Sequence, residues 1–125
     1  MIALPSLAQL DRASPRIWLA IEHADMRCGF DRLAELARAV TGEDPLSGHL
    51  FVFRSRGGDR LKVLYWDQDG YALWYKRLET GVFKLPRAAA GEKSVELRAS
   101  DLAMLLDGID LRSIRRVKRY SRAKA

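Results

Sequence analysis

The chain has 125 residues, about one ordinary domain, and a domain of this size can bury roughly two-thirds of the surface that its unfolded chain exposes. Hydrophobic residues make up 48% and charged residues 30%, a composition that excludes a disordered or fibrous protein. No apolar run approaches the roughly 20 residues that span a membrane, and a single cysteine, Cys28, excludes an internal disulfide framework and argues against structural zinc. We expect no cofactor, no metal and, because residues 1–10 lack the layout of a signal peptide, a cytoplasmic location.

The net charge of +6 is concentrated at the C-terminal end of the chain. Residues 111–125, which we call the basic tail, hold seven bases and no acid, which leaves residues 1–110 with 15 bases against 16 acids, a net charge of −1. The seven bases are Arg112, Arg115, Arg116, Lys118, Arg119, Arg122 and Lys124. Blocks of one sign often contact nucleic acids or other polyanions, so we expect the basic tail to bind DNA. The alternative is a terminus that only improves solubility.

The N-terminal half of the chain predicts a strand followed by a helix. Residues 1–15 show no clear period and are expected to be an extension of a single domain that covers residues 16–110. Residues 16–21 are apolar and partly β-branched, which is typical of a buried strand. Apolar side chains then recur at helical spacing over residues 30–40, and Gly42 suits the end of that helix.

Residues 45–90 predict an antiparallel β-meander, because aromatic and β-branched runs alternate with short breaks that contain glycine. The predicted strands are residues 49–54, 60–66, 71–77 and 82–85. Residues 95–97 are a candidate for a further edge strand. This makes a sheet of four to five strands.

A second helix is predicted before the basic tail. Leu102, Leu105, Leu106 and Ile109 recur at helical spacing, and Gly108 marks the end. The order of strand, helix, three or four strands and helix predicts an α+β fold, in which both helices pack on one face of the antiparallel sheet.

Acidic and nucleophilic side chains do not form a recognisable catalytic set. Asp67 and Asp69 lie just before Gly70, where a hairpin turn favours Asp and Gly for backbone reasons, so we interpret them as turn residues rather than as part of a two-metal site. His23 and His49 are far apart in the sequence, and neither has a nucleophile in a known motif beside it. We expect no catalytic residues.

The predicted meander is basic, with eight Lys and Arg residues against four acids. Our candidates for nucleic-acid contacts in it are Arg54, Arg56, Arg60, Lys62 and Lys76. If the aromatic residues between them are exposed, they can stack on unpaired bases while the cations hold phosphates. In the alternative interpretation the aromatics are core and the cations are a solvated rim. A loop of even length after Trp66 places its side chain on the same face as Tyr71, and an odd loop places it with Trp74.

Four sequence blocks resemble one known family. They are residues 23–31 (HADMRCGFD), 44–54 (DPLSGHLFVFR), 58–67 (GDRLKVLYWD) and 104–110 (MLLDGID). They are similar to the TnpB (Orf-two) accessory protein of insertion sequences of the IS-sixty-six type, and the resemblance covers about residues 16–112. One departure is Cys28, where many members of that family carry a lysine, which argues against an indispensable phosphate contact at this position.

The resemblance implies a role in DNA transposition beside a separate DDE-type transposase, which carries out strand transfer. We therefore predict a non-catalytic accessory protein that binds DNA electrostatically and contacts the transposase or a second copy of itself, with no membrane partner. The alternative is a protein–protein adaptor that docks on the transposase without touching DNA. The basic tail lies largely outside the four blocks, so its predicted role rests on charge alone.

Overall fold

The computed structural model describes residues 15–108, which form a five-stranded mixed sheet and two helices. The elements are β1 (Ile17–Ala20), α1 (Phe30–Thr41), a 3₁₀ turn (Pro45–Ser47), β2 (Leu50–Arg54), β3 (Arg60–Asp67), β4 (Gly70–Arg77), β5 (Ser94–Leu97) and α2 (Ala99–Leu106). The strand order is β4-β3-β2-β1-β5. Only the β1–β2 pair among these strands is parallel, so the predicted α+β class is confirmed and the meander consists of β2, β3 and β4.

The two helices pack on opposite faces of the sheet, and the prediction that both lie on one face is wrong. Alternate residues of a strand point to opposite faces, and all of Leu50–Phe53 is buried. Phe51 and Phe53 point to one side, where they join Leu33 and Ala37 of α1 in one apolar cluster. The second cluster contains side chains from the other side of the sheet and from α2, namely Ile17, Leu19, Val52, Val63, Leu102 and Leu105. A sheet that is apolar on both faces needs a cover on each of them. We call the two sides the α1 face and the α2 face.

The predicted strand at residues 82–85 is wrong. This segment crosses one end of the sheet as an irregular strap, in which the backbone N–H of Phe83 donates to the carbonyl oxygen of Gly58 at 2.8 Å. The Phe83 side chain is buried in the α2-face cluster, and Pro86 shortly afterwards lacks the N–H that a strand ladder needs. The edge strand predicted at residues 95–97 is confirmed as β5, which pairs with β1.

Both helices end on glycines in the left-handed conformation, as the sequence predicts. After α1, Gly42 has φ 74° and its N–H donates to the carbonyl oxygen of Arg38 at 2.9 Å. Gly108 follows α2 with φ 84°. At each position the backbone N–H of the glycine donates to a carbonyl oxygen of the last helical turn. Glycine adopts the required positive φ without the steric cost that a side chain would bring.

None of the helices formed by residues 15–108 is long and apolar enough to cross a lipid bilayer. The basic tail, most of the predicted N-terminal extension and Ile109 lie outside the described residues.

Candidate nucleic-acid interface

The register of the meander gathers several of its cations at one end of the sheet. Asp67 pairs with Gly70 across a two-residue loop, which places Asp67 and Asp69 at one end of the β3–β4 hairpin, whereas Asp59 and Glu79 flank the other end. At the opposite end, Leu61 of β3 pairs with Arg54 of β2 on one side and with Lys76 of β4 on the other. Arg56 and Arg60 lie in and next to the β2–β3 loop at that same end. We call Arg54, Arg56, Arg60 and Lys76 the arginine end.

Arg56 and Arg60 line an open cleft of about 530 Å³ at the arginine end. His23 and Arg27, from the segment between β1 and α1, line its other side. None of the ion pairs formed within residues 15–108 includes Arg56 or Arg60. Two arginines without an ion-pair partner within residues 15–108 therefore line one open cleft, which Asp25 also lines, and guanidinium groups suit the oxygens of a phosphate.

The loop that carries Arg56 is held by the buried hydroxyl of Ser55. The Ser55 Oγ accepts a hydrogen bond from the backbone N–H of Arg60 at 3.0 Å and donates one to Asp59 Oδ1 at 3.2 Å. The N–H of Gly58 also donates to the Ser55 carbonyl oxygen, at 3.0 Å, and Gly58 has φ 80°, which favours glycine. The spacing of the arginine side chains is thus set by a closed turn.

Arg54 is half-buried and tied to the end of β1. Its Nη2 donates to the carbonyl oxygen of Ile21 at 2.9 Å, and its own carbonyl oxygen accepts from the N–H of Ala24. Together with Arg87 it lines a second cavity, of about 420 Å³, beneath the strap. Arg87 is one of the eight cations of the predicted meander but not one of the candidate contacts, and Arg27 is not a candidate because it is distant in sequence from the meander strands.

Lys62 lies inside the fold rather than at the arginine end. It is 6% exposed, and its Nζ donates to the carbonyl oxygens of Met26 and Cys28 at 2.7 and 2.9 Å. The same ammonium group lies 4.7 Å from the centroid of the Tyr75 ring. These contacts attach the segment before α1 to the sheet, so we leave Lys62 out of the proposed interface. They also involve the backbone of Cys28, whose side chain has no part in them.

The aromatic side chains do not form a shared stacking surface. The two-residue loop is even, so Trp66 lies on the α1 face with Tyr71, their ring centroids 5.1 Å apart in an edge-to-face arrangement. Trp74 packs against the cluster on the α2 face instead. Tyr75 is 48% exposed, but it carries the Lys62 ammonium group against its ring. A platform for unpaired bases would need several such rings side by side.

His49, Asp67 and Asp69, which were considered for catalysis, have structural roles in the fold. His49 Nδ1 accepts the backbone N–H of Arg16 at 2.9 Å, which leaves the hydrogen on Nε2, 3.3 Å from Glu43 Oε1. Asp67 and Asp69 lie in the hairpin turn. Within residues 15–108, no three or more His, Cys, Asp or Glu side chains are grouped so that they could hold a metal ion.

Arg27 reaches the cleft but already has an acidic partner. Its guanidinium binds the Asp25 carboxylate through both nitrogens Nε and Nη2, with a shortest distance of 2.7 Å. These hydrogen bonds, more than any other influence, lower the pKa of Asp25 from 3.8 to about 2. Because the folded pKa is the lower one, the pair stabilises the folded state above about pH 4 and this contribution is lost as the pH falls toward 2.

In an Arg27→Gln variant, the pKa of Asp25 is expected to return part of the way toward 3.8, because the hydrogen bonds and the positive charge of the guanidinium are gone while the backbone N–H of residue 27 still donates to Asp25 Oδ1. A side-chain NMR titration of both proteins from pH 1.5 to 6 (roughly, to bracket both midpoints) measures this directly. An unchanged midpoint in the variant would contradict the pairing.

Comparisons with known proteins agree with the sequence blocks. Residues 15–116 match the model of a family described as IS66 Orf2 like protein. Two relatives come from Sinorhizobium fredii (strain NBRC 101917 / NGR234). Uncharacterized protein y4hO is 45% identical over 97 residues, which cover 78% of this chain and 83% of the relative. Uncharacterized protein y4jC is 35% identical over 101 residues, 81% of this chain and 85% of the relative.

No solved structure matches the chain significantly. The family match spans all of the described residues, including both helices, all five strands and the arginine end. It points to an accessory role in the transposition of IS66-type insertion sequences. The chain therefore belongs to the IS66 Orf2-like family.

Proposed function

We propose that this protein is a non-catalytic accessory factor that binds DNA electrostatically, through the arginine end and the basic tail, and assists a separate DDE-type transposase. The observation that carries the proposal is that Arg56 and Arg60, neither of them in an ion pair within residues 15–108, line the same open cleft. The family supplies the context, because transposition acts on DNA.

The chemistry of the cleft suits the phosphate backbone rather than base edges. A guanidinium group binds phosphate oxygens through parallel hydrogen bonds, and such contacts position a protein on DNA without reading its sequence. Arg54 is held by Ile21 and Arg27 by Asp25, so these two arginines retain less freedom to turn toward a ligand. Arg56 and Arg60 are therefore the residues of the described domain that we assign to phosphate contacts.

Replacing both residues, as Arg56→Gln/Arg60→Gln, is expected to weaken binding to duplex DNA about 10- to 100-fold near 0.1 M salt and to make the log–log salt slope shallower by about 2. Fluorescence anisotropy across a salt series measures both quantities. The matched control is Arg32→Gln/Lys93→Gln, which removes the same charge from exposed positions that do not line the cleft. Equal losses in the two variants would contradict a specific role for the cleft.

The protein–protein adaptor is the second candidate function, and exposed apolar side chains favour it. Phe30, at the start of α1, is 46% exposed, and Leu46, in the 3₁₀ turn, is 49% exposed. Single exposed apolar residues are common, so these two support contact with a partner only together with a binding result. Copurification with the element's transposase after nuclease treatment, with no DNA binding at low salt, would replace our proposal with the adaptor.

A further inference from the structure

The outer edge of β4 is an open strand edge. β4 is the last strand in the sheet order, and within residues 15–108 no strand or loop forms backbone hydrogen bonds along its outer side. The strand is eight residues long and has neither proline nor charge from Gly70 to Tyr75. Natural proteins usually protect such an edge with charges, prolines, bulges or a covering segment, because unpaired N–H and C=O groups template pairing with another strand.

The backbone groups that point outward can be identified from the ladder. The N–H of Leu78 donates to the carbonyl oxygen of Asp59 at 2.8 Å, so this pair is a hydrogen-bonded one. Hydrogen-bonded and non-hydrogen-bonded pairs alternate along an antiparallel ladder, which assigns the even-numbered residues of β4 to bonds with β3. The N–H and C=O groups of Tyr71, Leu73 and Tyr75 therefore face away from the sheet.

We propose that two copies of this protein join through their β4 edges, antiparallel about a two-fold axis at Leu73, to form one continuous sheet of ten strands. Only residues whose backbone groups point outward can pair across the two copies. The two-fold axis places Leu73 of one copy opposite Leu73 of the second copy, and Tyr71 opposite the second copy's Tyr75. The three resulting pairs provide roughly six main-chain hydrogen bonds. A closed two-fold contact also covers the β4 edges of both copies at once, so no third copy can pair with β4.

Charge and side-chain chemistry favour a second copy over an unrelated strand. β4 has Lys76 and Arg77 at one end and the turn with Asp67 and Asp69 just before the other. Antiparallel pairing about Leu73 brings Arg77 of each copy, whose guanidinium also binds Glu79 of its own chain at 3.2 Å, next to Asp69 of the other. It also places the half-exposed Tyr75 ring against the other copy's Tyr71, and aromatic cross-strand pairs stabilise sheets. The interface uses neither Arg56 nor Arg60, the two residues assigned to phosphate contacts, although Lys76 of the arginine end lies in β4.

A charge-swap experiment on the full-length protein tests the register. Arg77→Asp alone, or Asp69→Arg alone, places like charges together twice per dimer and is expected to raise the dimer dissociation constant on the order of tenfold. The double variant Arg77→Asp/Asp69→Arg restores opposite charges and is expected to regain most of the affinity. Arg32→Asp, on the exposed surface of α1, makes the same charge change as Arg77→Asp away from the edge and serves as the control. Sedimentation equilibrium from micromolar to millimolar protein measures the constants.

Amide hydrogen exchange on the same samples tests the edge itself. The amides of Tyr71, Leu73 and Tyr75 are expected to gain protection as the dimer forms, whereas those of Ala72 and Trp74 are already protected in the monomer. A chain that stays monomeric at every concentration overturns the proposal, and so does a dimer in which the three outward amides exchange freely. Protection of these amides in a monomer would assign the edge to another segment of the same chain, and a double variant without rescue would overturn the Leu73 register.

Discussion

Removal of residues 111–125 is expected to weaken binding to duplex DNA on the order of a thousandfold or more at low salt. The segment holds seven bases and no acid. If each base neutralises one phosphate, the log–log salt slope becomes shallower by about 6, at 0.9 per contact. Anisotropy titrations of the full-length and shortened proteins over a salt series give both the affinity and the slope.

The matched control for this deletion is a variant that changes only the order of the residues in the basic tail. A variant in which the sequence of residues 111–125 is scrambled keeps the composition and charge, so a purely electrostatic tail is expected to bind within a few-fold of the natural one. If the deletion leaves the affinity unchanged, the assignment of the basic tail is wrong. If scrambling removes binding, the tail acts through a specific structure rather than through its charge.

Replacement of Lys62 by Met is expected to lower the free energy of unfolding by about 3 kcal/mol, since the carbonyl oxygens of Met26 and Cys28 lose their buried donor. In a domain of this size such a loss lowers the melting temperature on the order of 10–20 °C. Methionine is similar in length to the lysine stem, so the lost hydrogen bonds and charge, rather than a cavity, dominate the change. Thermal and urea unfolding followed by circular dichroism measure it.

Lys76→Met is the control for this substitution, because Lys76 is exposed and forms no ion pair within the described residues. Its effect on stability is expected to stay within about 0.5 kcal/mol. The DNA affinity separates the roles of the two lysines further. Folded Lys62→Met is expected to bind as the natural protein does, and a large loss of affinity without a loss of stability would return Lys62 to the interface.

The local elements were predictable because their signals are local. The apolar stripe and Gly42 predicted α1 nearly to the residue, although Phe30, its first member, lies half-exposed. The three meander strands followed from alternating runs and short glycine-containing turns. The face of the sheet on which the Trp66 side chain lies depended only on the length of the loop that follows β3. That loop has two residues, which places Trp66 on the same face as Tyr71.

The rest depended on contacts between distant segments. The parallel pairing of β1 with β2 needs α1 to cross over the sheet, and only the continuous burial of Leu50–Phe53 signals a central strand covered on both faces. Lys62 looked like the other meander cations, because the two carbonyls that bind it come from a segment more than thirty residues away. The position of Arg27 at the cleft was also not predictable, because Arg27 is distant in sequence from Arg56 and Arg60.

A salt titration of DNA binding by the full-length protein tests the central claim most directly. Contacts from the basic tail together with Arg56 and Arg60 predict tight binding at low salt, with a log–log slope of about −6 to −8, and nearly equal affinities for unrelated duplexes. Binding that is absent at low salt, or a slope close to zero, would contradict the account.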